Sequence, residues 1–581
     1  MTISDAKLCA GRATDETLTV FQKTRMANEN RDITGARIVV DALRAQSVNT
    51  IFTVPGESFL AVLDALYDVA DDIKLVVCRH ESGAANMAEA HGKLTNRPGV
   101  CFVTRGPGAT NASIGIHTAR QDSTPMIVFV GQVARDTLER EAWQEIDYRQ
   151  MFGQVAKWVT QIDSAARIPE LISRTFHVAT SGRPGPVVIA LPEDMLVETA
   201  PVEKVVPPLP YQTITMQPAS EQLARVEKLL SEACKPIVLL GGGAWSREAC
   251  DDLRQFVTRF DLPVVCTFRR QDLYDNRDRH YAGEAGLGMD PALAARLREA
   301  DLLLAIGPRL GETSTLGYEL FSIPTPAVKL VHVHRDANEL GRVYRADLPI
   351  NSGMAEFARA VARLESPTKP VWAEWTQAAH ADYEARRAPP PNSGSIDLGA
   401  VVSHIDEALP EDAIVSNGAG NYTLWVQRFF RYRGWRTQLA PTSGAMGYGL
   451  PAAIAAALQK PDRPAVCFAG DGCFLMTGQE LATAVQYDAR VIVIVVDNGM
   501  YGSIRMHQHR HYPGRVIGTT LQSPDFVGLA RAYGAYAERV ERTVDFPDAF
   551  QRAREAGRPA VLVLRTDPNL LTPNMIIGPG V

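Results

Sequence analysis

The chain has 581 residues, of which 46% are hydrophobic and 22% are charged, and its formal net charge is −6. This length predicts about three or four globular domains, and the lack of a basic block in the sequence argues against nucleic acid as a partner. No run of about 18 apolar residues predicts a membrane-spanning helix.

The N-terminal segment and the cysteines predict the cellular compartment. Residues 1–31 are polar and lack the apolar centre of a secretory signal, so we expect a mobile arm. The eight cysteines form no Cys-x-x-Cys pair, and Cys78, Cys101, Cys266 and Cys467 lie in apolar runs. We therefore expect buried free thiols and a cytoplasmic location.

Short apolar runs alternate with helical patterns and group into three α/β blocks, which we predict to be domains. Their predicted boundaries are 32–195, 221–365 and 397–570, followed by a C-terminal tail at 571–581. Proline-rich stretches at 196–220 and at Pro389 to Pro391 suit extended linkers. The predicted strands are 75–78, 100–104, 126–130, 187–191, 237–240, 264–268, 302–306, 330–334, 414–415, 465–468, 491–496 and 561–564. This alternation predicts the α/β class, with a doubly wound parallel sheet in each domain.

A carboxylate and a glycine turn follow two predicted strands of the first block. Glu81 follows the strand at 75–78 and begins a helical pattern. A glutamate at a helix start often only complements the helix dipole, but one held in an apolar crevice can exchange a proton near neutral pH. Gly106-Pro107-Gly108 precedes a second helical pattern, where backbone N–H groups can bind an anion or simply form a tight turn.

Two strand ends in the third block predict a metal site. Gly470-Asp471-Gly472 follows the strand at 465–468, and Asn498 follows the strand at 491–496, about 25 residues further on. Because a helical stretch lies between them, both strands should end at one edge of a parallel sheet. A carboxylate and an amide are hard oxygen donors that Mg²⁺ accepts together with phosphate oxygens. The residues alone predict a magnesium–diphosphate site, the alternative being two ordinary turns.

These motifs together resemble the thiamine diphosphate-dependent enzymes, and most closely their acetohydroxyacid synthase (acetolactate synthase) branch. The resemblance covers roughly residues 35–570. It is carried by the metal motif and by the segments 79–85, 104–111, 122–125, 142–145 and 443–453.

The resemblance implies a role for each matching residue. In that family the glutamate matching Glu81 hydrogen-bonds the cofactor pyrimidine and favours the tautomer that takes the proton from thiazolium C2. The methionine matching Met446 wedges between the two cofactor rings, and the side chain matching Gln144 faces the substrate. The implied metal ligands are Asp471, Asn498 and the carbonyl of Met500. The implied cofactor-binding residues are Glu81, Pro107, Asn111, Gly420, Asn421, Gly444, Met446, Gly470, Gly472, Cys473, Met500 and Tyr501.

Several positions depart from the family pattern. Thr313 stands where the family has an arginine that holds a 2-keto acid carboxylate, Glu193 replaces a lysine, and His507 replaces a tryptophan that selects the second substrate. Trp143 replaces a phenylalanine and should narrow the pocket, the alternative being a packed core aromatic. The loss of a bidentate guanidinium removes strong carboxylate recognition. The departures at Thr313, Glu193 and His507 together argue against a housekeeping branched-chain synthase.

Two further segments allow more than one interpretation. Gly241-Gly242-Gly243 follows a predicted strand of the second block, where relatives bind FAD, an ADP moiety or nothing, so FAD is a third candidate cofactor. His507 lies in a cluster of histidines and arginines after the metal loop. It is our fourth catalytic candidate, beside Glu81, Gln144 and Met446, because histidines can relay protons near neutrality. The alternative is a solvated basic loop; the segment could also be a lid.

The sequence therefore predicts a magnesium- and thiamine diphosphate-dependent carboligase of the acetolactate synthase type. It would decarboxylate a 2-keto acid and add the remaining fragment to a carbonyl acceptor. Two alternatives stay open: a thiamine diphosphate-dependent 2-keto acid or acyl-CoA decarboxylase, and a non-catalytic homologue that binds the cofactor. Small-molecule substrates are expected, with neither nucleic acid nor membrane as partner. In relatives two subunits share each cofactor, so we expect a homodimer or homotetramer.

Overall fold

The computed structural model describes residues 32–366, 370–388 and 394–577. These residues form three α/β units, each built on a six-stranded parallel sheet. The fold class predicted from the sequence is confirmed. The predicted arm at 1–31 and Pro389 to Pro391 of the second predicted linker lie outside the described residues.

The first unit contains the strands and helices up to the first predicted linker. Its strands are β1 (Asp32–Thr34), β2 (Thr50–Thr53), β3 (Lys74–Val77), β4 (Gly99–Val103), β5 (Met126–Gln132), β6 (Trp158–Gln161), β7 (Pro186–Pro192) and β8 (Thr199–Pro201). Its helices are α1 (Gly35–Ala45), α2 (Leu60–Tyr67), α3 (Glu81–Thr95), α4 (Pro107–Asp122), α5 (Tyr148–Phe152), α6 (Ile168–Thr180) and α7 (Glu193–Val197). The sheet order is β3-β2-β4-β5-β7-β6. β1 and β8 form a separate antiparallel pair, so part of the predicted linker is a strand.

The second unit repeats the same architecture. Its strands are β9 (Pro236–Leu240), β10 (Val264–Thr267), β11 (Tyr281–Ala285), β12 (Leu302–Ile306), β13 (Lys329–His334) and β14 (Leu348–Asn351). Its helices are α8 (Ser220–Glu232), α9 (Arg247–Phe260), α10 (Pro291–Glu299), α11 (Met354–Val361) and α12 (Ala373–Arg386). The sheet order is β11-β10-β9-β12-β13-β14, so the strand order reverses between β9 and β12.

The third unit carries the predicted metal motif. Its strands are β15 (Ile414–Asn417), β16 (Gln438–Leu439), β17 (Ala465–Gly470), β18 (Val491–Asp497), β19 (Tyr536–Val540), β20 (Ala560–Arg565), β21 (Leu570–Thr572) and β22 (Met575–Ile576). Its helices are α13 (Leu398–Ala408), α14 (Thr423–Phe429), α15 (Gly449–Gln459), α16 (Asp471–Leu475), α17 (Glu480–Gln486), α18 (Gly502–His511), α19 (Phe526–Ala532) and α20 (Phe546–Glu555). The sheet order is β16-β15-β17-β18-β20-β19, so the strand order reverses between β15 and β17. β21 and β22 pair as a hairpin that begins at the last residue of the predicted third block and otherwise lies in the predicted C-terminal tail.

The sheets bury side chains on both faces, because successive strand residues point in opposite directions. In β5, Ile127 and Val128 belong to two different hydrophobic clusters. The cluster around Val128 also contains Ala453 and Ile454 of α15, and α15 packs against α3. The first and third units therefore share one core. Within the described ranges, no helix combines the length and apolar character needed to cross a membrane.

Candidate functional site

A cavity of about 260 Å³ lies in the third unit, where loops leave the carboxyl ends of β15, β17 and β18. This is the crevice at which the strand order reverses, the usual ligand position in an open α/β sheet. The predicted site residues that line it are Gly420, Asn421, Gly444, Met446, Gly470, Asp471, Gly472, Cys473, Asn498, Met500 and Tyr501. The fold therefore brings together every site residue predicted in the third block except His507.

Asp471 is held at the floor of this cavity by backbone N–H groups. Its Oδ1 accepts a hydrogen bond from Gly472 N at 2.8 Å, and its Oδ2 accepts from Gly499 N at 2.7 Å and Met500 N at 3.2 Å. The residue is only 3% exposed. Burial raises the pKa of Asp471 to about 6, against the effect of the N–H donors, and the nearby Asp497 charge raises it further.

The surroundings of Asp471 fit a divalent cation. Among the described residues no Lys, Arg or His forms an ion pair with it, whereas Asp497 is paired with Arg565 at 2.9 Å. Asn498 Oδ1 accepts from Met500 N at 3.2 Å, and the Met500 carbonyl accepts from Gly502 N at 3.0 Å, so both oxygens belong to the same turn. A carboxylate, an amide oxygen and a carbonyl match the small protein share of a Mg²⁺ shell.

Histidine, cysteine and acidic side chains do not form an independent metal centre. Throughout 32–366, 370–388 and 394–577, no group of three or more of these side chains is placed to hold an ion. A cation bound in the cavity would therefore need phosphate oxygens and water to complete an octahedral shell.

Cys473 and two glycines hold the loops around the cavity close together. The Cys473 Sγ accepts hydrogen bonds from Gly447 N at 3.2 Å and from the Tyr422 hydroxyl at 3.4 Å. A Cβ on Gly418 would lie 2.5 Å from this sulfur, and a Cβ on Gly472 would lie 2.6 Å from the Tyr501 ring. Side chains at these two positions are sterically excluded, so only glycine lets the neighbouring loops approach this closely.

Met446 reaches the cavity from the loop before α15. Gly444 and Gly447 on either side have φ angles of +69° and +81°, which bend the loop sharply. The Thr477 hydroxyl donates to the Gly447 carbonyl at 2.6 Å and anchors the bend. Met446 is half-buried against the core of the third unit and lines the cavity, the position expected of a side chain that shapes a bound ligand.

The site residues predicted in the first block form a second group. Glu81 is the first residue of α3 and is 8% exposed, and its Oε2 accepts from Asn111 Nδ2 at 2.9 Å. Gln144 lies beside the glycine turn that leads to Pro107. The contact is so close that a Cβ added to Gly106 would lie 2.9 Å from the Gln144 Cβ. Gln144 has a φ of +67°, a sparsely populated conformation for a non-glycine residue that is typical of functional loops.

Among the residues that the structure describes, the cavity of the third unit does not include the first-unit group. The cavity is lined only by residues between Ile396 and Leu571, all in the third unit. Large hydrophobic side chains are exposed beside each group: Ile114 and Trp143 near the first, Ile504 near the second. We call the groups the first and the second half-site.

Trp143 is a surface residue. Its side chain is 69% exposed, so the alternative of a packed core aromatic is wrong. The Arg105 guanidinium lies 5.6 Å from the ring centroid and is itself paired with Glu193 at 2.9 Å and Glu57 at 3.1 Å. Glu193, one of the departures from the family pattern, therefore anchors the arginine beneath Trp143.

His507 and Thr313 lie away from the cavity lining. His507 is exposed on α18 and stacks on His511, with ring centroids 6.2 Å apart. His507 lies one helical turn beyond Ser503 and Ile504, which line the cavity. The catalytic role of His507 stays a prediction. In the segment that contains Thr313, the remaining arginine, Arg309, is paired with Glu339 at 3.2 Å.

Several lining residues were not predicted from the sequence. They include Ile396, Leu398, Ser503, Ile504, Thr566, Leu570 and Leu571. Leu570 and Leu571 both belong to β21, and Leu571 begins the predicted tail, so the tail contributes to the site. These positions carry no motif, and their only common signal is that they precede or follow predicted elements of the third block.

Three families match successive parts of the chain. Residues 33–151 match the family described as "Thiamine pyrophosphate enzyme, N-terminal TPP binding domain". Residues 223–361 match the family described as "Thiamine pyrophosphate enzyme, central domain". Residues 418–564 match the family described as "Thiamine pyrophosphate enzyme, C-terminal TPP binding domain". Each half-site lies within one of the two TPP binding domains.

Relatives are similar over nearly the whole chain. The acetolactate synthase large subunit of Corynebacterium glutamicum is 33% identical over 562 residues, covering 94% of this chain and 88% of that protein. The probable acetolactate synthase large subunit of Methanocaldococcus jannaschii is 33% identical, covering 94% of each chain. The acetolactate synthase isozyme 2 large subunit of Escherichia coli is 30% identical, covering 92% of this chain and 95% of that protein.

Proposed function

Because the chain belongs to the thiamine pyrophosphate enzymes, in the branch of the acetolactate synthase large subunits, we propose that it is a magnesium-dependent carboligase acting on a 2-keto acid. The observation that carries the proposal is the cavity at the strand-order reversal, with the buried Asp471 carboxylate facing it. We assign pyrimidine binding to 32–195, a central domain to 221–365 and diphosphate binding to 397–570.

The third unit would hold the diphosphate end of the cofactor. Asp471, Asn498 and the Met500 carbonyl would hold Mg²⁺, which would supply positive charge to offset that of the phosphates. Gly470 and Gly472 line the cavity without a side chain, so the phosphate oxygens could approach their backbone closely. Met446 would set the bend between the two rings, for which a flexible thioether is suited. The remaining cofactor-binding residues that we propose in this unit are Gly420, Asn421, Gly444, Gly470, Cys473 and Tyr501.

The first unit would supply the proton chemistry. When bound, thiamine diphosphate supplies the electron sink for breaking and forming carbon–carbon bonds. Glu81 would hold and move the proton that activates it, and the hydrogen bond from Asn111 keeps the carboxylate in one orientation. Pro107 would contact the cofactor at the same turn. Gln144, fixed in its positive-φ conformation, would face the substrate.

The acceptor that we propose is a neutral carbonyl compound such as an aldehyde. Thr313 cannot form the bidentate contact by which an arginine recognises a second carboxylate. Arg309 in the same segment is engaged by Glu339. The donor 2-keto acid would lose carbon dioxide, and its acyl carbon would bond to the acceptor carbonyl carbon to give a 2-hydroxyketone.

We expect pyruvate to release carbon dioxide and to give a 2-hydroxyketone when an aldehyde is supplied. The measurement is mass-spectrometric product analysis with and without the aldehyde, and the E81Q protein is the matched control. Free acetaldehyde as the sole product, whether or not acceptor is present, would indicate the decarboxylase instead. A protein that binds the cofactor but releases no carbon dioxide from any of a panel of 2-keto acids would indicate the non-catalytic homologue.

We also propose that the active form is at least a homodimer in which the second half-site of one subunit meets the first half-site of another. The two half-sites complement each other. The second contains the proposed ligands of the metal and the phosphates, and the first contains Glu81. Each is bordered by exposed hydrophobic side chains, which a second copy would bury. A twofold dimer would form two such composite sites.

Mixing two inactive variants should restore activity if sites are shared in this way. A dimer of one E81Q and one D471N subunit contains one intact site, assembled from the wild-type half of each chain. After equal amounts have exchanged subunits at random, we expect about a quarter of wild-type activity. The assay is turnover before and after subunit exchange. Absence of recovery, although exchange is verified by mass spectrometry, would contradict the shared site.

FAD is not used by any step that we propose. The glycine loop after β9 is closely packed, because a Cβ on Gly242 would lie 2.1 Å from the Gly307 carbonyl oxygen. The cleft beside Gly243 and Trp245 measures about 180 Å³. Binding of FAD beside this loop stays a prediction from the sequence.

A further inference from the structure

The buried carboxylate of Glu480 contacts the backbone directly before Glu81. Glu480 is the first residue of α17 in the third unit and is 0% exposed. Its Oε1 accepts from His80 N at 2.9 Å and Arg79 N at 3.1 Å, and its Oε2 also lies 3.2 Å from Arg79 N. The Thr483 hydroxyl donates to Oε2 at 2.7 Å and fixes the carboxylate on its own helix.

This contact occupies the positive end of α3. His80 is the N-cap residue of α3, and Glu81 begins the helix. A carboxylate that accepts backbone N–H bonds at a helix N-terminus forms strong, charge-assisted hydrogen bonds and complements the helix dipole. The position of the Glu81 backbone is therefore set by a residue some 400 positions further along the chain.

The rest of α17 holds the same segment along its length. The Gln486 side chain accepts from Arg79 Nη2 at 2.5 Å. The hydroxyl of Tyr487, which follows α17, accepts from Val77 N at 2.8 Å and donates to the Leu75 carbonyl at 3.2 Å. The end of β3 and the turn before Glu81 thus rest on one helix of the third unit.

Gly83 shows how closely the two elements approach. A Cβ at this position would lie 2.4 Å from Glu480 Oε1 and 2.5 Å from its carboxyl carbon. Any side chain at position 83 would displace the Glu480 carboxylate. Gly83 therefore permits the contact between Glu480 and the turn before Glu81.

We propose that Glu480 is a positioning residue for Glu81. This rests on the proposed function, in which Glu81 moves a proton at the cofactor. Glu480 does not line the cavity; it fixes the backbone N–H groups of Arg79 and His80, directly before Glu81. In the proposed dimer, Glu81 serves the cofactor held by the partner subunit, so Glu480 acts on the partner's site and not on the metal site of its own chain.

Hydrogen–deuterium exchange tests the contact without cofactor. In E480A we expect the amides of Arg79 and His80 to exchange at least about tenfold faster than in wild type, because two backbone donors lose their buried acceptor. G83A perturbs the contact from the other side and should speed the same amides. E480Q, which keeps one acceptor oxygen, is the variant to use if E480A does not fold. The control is E541Q, a change at an exposed acid of the same unit.

Kinetics test positioning. Displacing a catalytic group lowers the rate of the reaction more than it weakens substrate binding. In E480A or E480Q, kcat should therefore fall about 10- to 100-fold, while KM for the 2-keto acid changes little. Unchanged exchange at Arg79 and His80 would overturn the proposal. Faster exchange with unchanged kcat would also overturn it, because the contact would then not position Glu81.

Mixed dimers identify the site on which Glu480 acts. Mixing E480A with D471N leaves one intact composite site, so activity should recover to about a quarter of wild type. Mixing E480A with E81Q leaves no intact site, so activity should not recover. The reverse pattern would show that Glu480 serves its own metal loop and would overturn the proposal. If E81Q alone retains full turnover, the proposed function fails, whereas the exchange experiment still reports on the contact.

Discussion

Replacing Glu81 with glutamine is expected to lower kcat by about 10²- to 10⁴-fold, while thiamine diphosphate still binds. Glutamine has nearly the same shape, and its side-chain oxygen can still accept the hydrogen bond from Asn111 that holds Glu81 Oε2 at 2.9 Å. It cannot move a proton at the position that the glutamate occupies. The test is steady-state turnover of a 2-keto acid together with calorimetric titration of the cofactor.

The matched control for Glu81 is an acid in the same unit that has no place in the half-site. Glu170 lies on the surface of α6 and pairs with Arg167 at 2.8 Å, with both side chains mostly exposed. Glu170→Gln should retain wild-type turnover, because exposed pairs of this kind contribute little. Wild-type kcat in the Glu81→Gln protein would remove Glu81 from the chemistry and favour a non-catalytic cofactor-binding protein.

Replacing Asp471 with asparagine is expected to abolish magnesium-dependent cofactor binding over the range in which wild type saturates. Asp471 is the only carboxylate among the three proposed ligands, and its negative charge offsets the charge of the ion. At a cofactor concentration of about 100 times Kd, a bound ligand stabilises a folded protein by about 2.7 kcal/mol. Wild type should show this gain in thermal stability with magnesium and thiamine diphosphate, and the Asp471→Asn protein should show none.

The comparison needs a variant with the same chemical change outside the cavity. Asp462 is an exposed acid in the loop before β17, and Asp462→Asn should keep the full stabilisation. Magnesium should be required in every titration, since chelation would leave the phosphates without their bridge to the protein. Equal cofactor affinity in Asp471→Asn and wild type would refute the metal site as we describe it.

The elements that the sequence predicted correctly are those with strong local signals. Continuous apolar runs such as 491–496 are typical of strands buried on both faces of a parallel sheet, and the structure has β18 there, at Val491–Asp497. β2 was missed, although all four of its residues are buried. Its run, Thr50–Thr53, is short and contains two threonines, so its apolar character is weak.

The residues alone predict the part of the candidate site that follows strand ends, and the family resemblance adds residues such as Met446. Asp471 and Asn498 could be placed together because parallel strands deliver their carboxyl ends to one edge. The contribution of Leu571 could not be predicted. It lies in a hairpin after the last sheet strand, which folds back onto the cavity through contacts that leave no periodic pattern in the sequence. The backbone contact of Glu480 with Arg79 and His80 is of the same kind.

By itself the sequence determined the α/β class, the strand ends that carry Asp471 and Asn498, and the resemblance that identified the cofactor. Those features depend on residues close together in the chain, where periodicity and turn chemistry act directly. Only the tertiary structure decided that the third-unit residues share one cavity, that Glu81 lies outside it, and that Glu480 supports the turn before Glu81. Contacts between residues hundreds of positions apart depend on how whole sheets pack, because no local interaction energy specifies them.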